Sequence, residues 1–74
     1  MWRITRWDPL HTRWVSVGAA PNERAASRSV RALAAKGHLS KATCDDITLT
    51  AYPARPERPA AFSRYELIDN PSAT

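Results

Sequence analysis

The chain is predicted to adopt an α+β fold: a small antiparallel β-sheet with one helix packed on one face, in the order β-β-α-β-β. Three observations carry this expectation. Short stretches of β-forming residues alternate polar and apolar on either side of one Ala-rich stretch. That stretch has capping residues at both ends. The link between the first two alternating stretches is short, which makes an antiparallel hairpin their natural connection.

The elements follow in order. Residues 2–7, Trp-Arg-Ile-Thr-Arg-Trp, alternate and read as the first strand. Asp8-Pro9 ends it, because Pro9 removes a donor and biases Asp8 away from helix. Residues 13–17, Arg-Trp-Val-Ser-Val, alternate again as the second strand. Asn22 is a good N-cap, Glu23 suits the positive end of a helix dipole, and Gly37 suits a left-handed C-cap, so a helix is expected over 23–36. On its wheel Ala26, Val30, Leu33 and Gly37 share one side, and Arg24, Arg28 and Arg31 the other. Residues 38–46 read as a polar link ending in Asp45-Asp46. Residues 47–52, Ile-Thr-Leu-Thr-Ala-Tyr, alternate cleanly as a strand. The Pro-rich loop over 53–61 has a proline at every third position from Pro53 to Pro59, which favours extended backbone and forbids a central strand. Residues 63–68 read as the last strand and 70–74 as a frayed tail. Pairing of 2–7 with 47–52 is the expected crossover. The expected core is Trp2, Ile4, Val15, Val17, Ile47, Leu49 and Leu67 with Ala26, Val30 and Leu33.

Seventy-four residues allow a single domain, 1–74. A chain of this length buries only about 60% of its unfolded surface, so a few kcal/mol of net stability is expected. The net charge is +4 and unevenly spread. From Met1 to Cys44 eight bases meet two acids, a balance of +6; from Asp45 to Thr74 three bases meet five acids, a balance of −2. A basic half suits an acidic partner, although nine of the eleven bases are Arg and Ala is the commonest residue, a bias that a GC-rich genome produces without selection for binding. Cys44 is the sole cysteine, so no internal disulfide exists and nothing demands an oxidising compartment. The first six residues lack the apolar run of a signal peptide, and no stretch approaches the ~20 apolar residues that span a bilayer. A cytoplasmic protein of a bacterium or bacterial virus is expected, with no membrane partner.

Four features bear on function. With the apolar positions turned inward, Arg3, Thr5, Trp7, Trp14, Ser16, Thr48, Thr50 and Tyr52 turn outward. Arg3, Trp7, Trp14 and Tyr52 then form a candidate partner-binding surface, unless the Pro-rich loop folds over it. Arg24, Arg28 and Arg31 form a candidate electrostatic or phosphate-binding stripe, with an ordinary solvated helix face as the alternative. His11, His38, Cys44, Asp45 and Asp46 are the reactive side chains, but they lack the spacing of a catalytic or metal motif. The chain is expected to have no enzymatic activity, no metal site and no cofactor. Pro56 and Pro59 beside Arg55 and Arg58 resemble a ligand for a proline-recognising groove, though stiffening a connection is the commoner use of such a loop.

These features predict a non-enzymatic module that docks on a larger protein or nucleoprotein complex. A phage or mobile-element accessory protein that inhibits a host complex, as anti-CRISPR proteins do, fits that description. The alternatives are a basic protein that binds nucleic acid with little sequence preference, and a small structural component of a larger assembly. A homodimer formed by pairing the open sheet faces is a further expectation.

Overall fold

Asp8 sets the first turn. Its Oδ1 accepts the backbone N–H groups of Leu10 and His11 at 3.1 and 3.4 Å, and Thr12 closes the loop at φ 48°. The chain therefore reverses between β1 (Trp2–Asp8) and β2 (Arg13–Ala20), with Asp8 opposite Arg13. The computed structural model describes residues 1–67. It continues with α1 (Glu23–Ala35), β3 (Ser40–Cys44), β4 (Ile47–Tyr52) and β5 (Ala61–Glu66). Among the described residues the strands form one five-stranded sheet, in the order β2-β1-β3-β4-β5, and every pairing is antiparallel. The α+β class, the antiparallel sheet and the β-β-α-β-β order are found, with one strand more than expected.

The helix starts where the caps indicate. Asn22 Oδ1 accepts the Ala25 N–H at 2.8 Å. Gly37 at φ 94° ends the helix in a Schellman motif: the His38 N–H reaches the Leu33 carbonyl and the Gly37 N–H the Ala34 carbonyl. Ala26, Val30 and Ala34, four apart, are buried against the sheet. Beneath them lie Trp2, Ile4, Ala42, Leu49 and Ala51, with Ala20 at the end of β2.

The added strand is β3, in the segment read as a polar link over 38–46. Its helix-facing side chains are Ser40 and Ala42, both fully buried, and Cys44, half-buried. They are small because the helix passes close above them, so the stretch lacks the Val/Ile signature of a strand. Ser40 is tolerated there because its hydroxyl donates to the Val30 carbonyl at 2.8 Å. The turn to β4 uses two residues, with Asp45 at φ 53°, a backbone region that Asp tolerates. Residues 2–7 consequently pair with Ser40–Cys44, and the expected pairing with 47–52 does not form.

Three expected core positions are corrected. Register slips between Ile4 and Thr5, so that Ile4 faces Gly18, Thr5 faces Ser16, and Val17 is left as the extra residue of a β-bulge. Val17 is 45% exposed on the edge strand, and Val15 is half-buried. Leu67 is 57% exposed because β5 ends at Glu66; its place in the core is taken by Phe62, half-buried and packed against the core cluster. Strand β5 thus begins two residues before the expected 63–68, taking Ala61 from the loop, and β2 runs on to Ala20. Ile68 and the tail 70–74 lie outside the described residues. No helix among the described residues is long and apolar enough to cross a membrane.

Candidate functional site

The helix contacts β1 to β4 from one side of the sheet. On the other side, alternation and register place Arg3, Thr5 and Trp7 of β1, Trp14 and Ser16 of β2, Lys41 and Thr43 of β3, Thr48, Thr50 and Tyr52 of β4, and Ser63 and Tyr65 of β5. All eight outward residues expected from sequence lie on this face. Lys41 and Thr43 were missed because β3 was not legible, and Ser63 and Tyr65 because taking Leu67 as core turned the alternate positions of 63–68 inward. Trp14 is 36% exposed, Tyr52 41% and Tyr65 64%.

The face has a single sign of charge. Arg3 and Lys41 are its strand cations, and none of its described strand residues is a carboxylate. The strand acids Asp8 and Glu66 fall on the helix side. Arg64 lies there as well; it holds Glu23 of the helix at 2.9 Å and Glu66 at 2.9 Å. Hydrogen bonding from Arg64, aided by its charge, keeps the Glu23 carboxyl below the usual range.

Trp7 and Trp14 meet as an edge-to-face pair, with centroids 5.4 Å apart and planes at 65°. They are directly opposed across β1 and β2, which is the closest placement an antiparallel ladder offers. The Lys41 ammonium sits 4.2 Å from the centroid of the Trp14 ring, a cation–π contact. Thr5 Oγ1 donates to the Lys41 carbonyl at 3.2 Å, locking β1 to β3 beneath this cluster. The Pro-rich segment folds into a small turn in which Arg55 and Arg58 exchange backbone hydrogen bonds at 2.8 and 3.1 Å. Pro53, Arg55, Glu57 and Arg58 line one depression with Leu39 and Tyr52, so the loop flanks the Tyr52 end of the face.

The three arginines of the stripe share one side of the helix. Arg24, Arg28 and Arg31 are exposed and line one open depression with Glu23 and Ser27. Arg31, however, lies at the flank of the helix, its guanidinium 4.1 Å from the centroid of the Phe62 ring. The stripe and the tryptophans are on opposite sides of the sheet, as expected. Of the reactive side chains, His11 Nδ1 donates to Asp8 Oδ2 at 2.7 Å in the hairpin loop, and this bond holds the Asp8 carboxyl below its usual range. Cys44 Sγ lies 3.9 Å from Asp45 Oδ2 and packs against the core. His38 is exposed past the helix. The described residues contain no group of three or more His, Cys, Asp or Glu side chains suited to a metal ion.

Comparison with protein-family models, with curated proteins and with solved structures finds no match to this chain.

Proposed function

We propose that the chain is a non-enzymatic binding module that docks the uncovered face of its sheet on a larger protein or nucleoprotein complex. The observation that carries this reading is the composition of that face: exposed aromatics, a row of hydroxyls and two cations, with no strand carboxylate among the described residues. Solvated faces ordinarily mix both signs of charge. A face of one sign that also presents Trp14, Tyr52 and Tyr65 suits a negatively charged macromolecule, with aromatics as anchors. Docking through Arg24, Arg28 and Arg31 is the weaker reading, since Arg31 rests on Phe62 and Glu23 sits among them.

The test is retention from lysate. The tagged chain should retain a macromolecular partner, and Arg3→Glu/Thr48→Glu should lose it while its circular dichroism stays unchanged. Arg24→Gln/Arg28→Gln should retain it. Loss with the helix variant and retention with the sheet variant would move the interface to the other side and end the proposal.

A further inference from the structure

The strand registers organise the open face into rows that run across the strands. Nearest the β1–β2 hairpin, Trp14 stands opposite Trp7. The Trp7 N–H donates to the Leu39 carbonyl at 2.7 Å, and Leu39 lines one depression with Tyr52. This row is aromatic and apolar. The next row reads Ser16, Thr5, Lys41, Thr50, Ser63, each the register partner of the one before. It aligns four hydroxyl-bearing residues with one lysine. Arg3 belongs to the row beyond, beside Thr43. Across five strands such a row spans four steps of about 4.8 Å, roughly 19 Å.

An aromatic lane beside a lane of hydroxyls and cations matches a polymer with flat apolar faces along one edge and anions along the other. We infer that this face binds single-stranded nucleic acid. The strand lies across the β-strands, with bases toward Trp14, Trp7 and Tyr52, and phosphates toward Lys41 and its flanking hydroxyls, with Arg3 behind them. Hydroxyls and cations are the usual phosphate donors, and base stacking on aromatic rings tolerates any sequence. An acidic protein surface would answer Lys41 and Arg3, but it would bring cations and N–H groups of its own, and the face offers them no strand carboxylate. In the free protein Lys41 lies over the ring of Trp14. Turning that ammonium to a phosphate uncovers the ring for a base, so both contacts form together. Arg55 and Arg58 lie with Glu57 beside Tyr52, at the end of the aromatic row.

The inference rests on the docking reading above and is tested separately. The purified chain is titrated with a thymidine oligonucleotide of about a dozen nucleotides, its uridine counterpart, a duplex of the same length and poly-L-glutamate, following tryptophan fluorescence at several salt concentrations. The single strands should quench saturably and bind more tightly than the duplex. Lys41→Gln and Arg3→Gln should each lower the slope of log K against log salt by about 0.7. Trp14→Ala should weaken binding roughly 5- to 150-fold; Arg3→Gln changes an exposed side chain and keeps the test valid if the tryptophan variant unfolds. Poly-L-glutamate binding as tightly as the oligonucleotides would assign the face to an acidic protein and overturn the inference. So would duplex binding of equal strength with unaltered salt slopes. If no oligonucleotide binds, yet Arg3→Glu/Thr48→Glu still loses the lysate partner, this inference falls and docking stands. If both fail, both fall.

Discussion

Ser40 and Leu49 show how little room lies between helix and sheet. Both are fully buried, and Ser40 replaces a hydrophobic contact with a hydrogen bond to the Val30 carbonyl. Ser40→Ala should cost about 1 kcal/mol, the usual net worth of such a bond. Leu49→Ala should cost about 2–5 kcal/mol, because it opens a cavity in a core of five alanines whose only larger buried side chains among the described residues are Trp2, Ile4, Val30 and Leu49 itself. Urea midpoints measure both, and the second loss is large enough to leave a domain of this size partly unfolded in water. Leu49, Ile4 and Val30 were legible as core because apolar side chains at strand or helix spacing have few other uses. Ser40 was not, since a buried hydroxyl declares itself only through a partner ten residues away in sequence. Val17 failed for the opposite reason: alternation counts through a bulge as though it were absent.

At the scale of elements, the helix is the part its own residues specify. Asn22, Glu23 and Gly37 do locally what their types suggest, and Asn22→Ala should cost about 1 kcal/mol by leaving the Ala25 N–H without its acceptor. Glu23 has a second role, since it ties the start of the helix to Arg64 of β5. Its carboxyl is depressed in the folded chain. Its contribution is therefore complete above the unfolded value of about 4.3 and is lost as pH falls through the lower folded value. Wild-type stability should fall across that acid range more steeply than that of Glu23→Gln, and added salt should narrow the difference because the pair is exposed. Strand β3 shows the limit of local reading. Ser-Lys-Ala-Thr-Cys owes its extended form to β1 on one side and β4 on the other, and strand propensity of this kind belongs to the surroundings. Strand β5 was found late for a related reason: Phe62, its one large inward side chain, lies before the stretch that alternates.

For the whole molecule, the central placement of β3 has a measurable counterpart. It is hydrogen-bonded on both sides and lies under the helix, whereas β2 and β5 are the outermost strands among the described residues. Amide exchange should be slowest in β1, β3 and β4 and fastest in β2 and β5. Fast exchange in β3 would mean that the hairpin of β3 and β4 opens independently. The two-sided design was readable in advance, because one Ala-faced helix can cover only one side of a sheet. The arrangement of the open side into lanes was not, since it depends on four inter-strand registers and on a strand that alternation did not disclose.

The two margins of the sheet are unequal. Along β2 the bulge at Val17 breaks the even spacing that an incoming backbone would need, while β5 runs without irregularity from Ala61 to Glu66. A molecule with one usable rim can zip to a twin, rim to rim about a two-fold axis, and growth then stops. The small kink opposite Ile4 and Thr5 thus denies the chain the second sticky border that endless ribbons require.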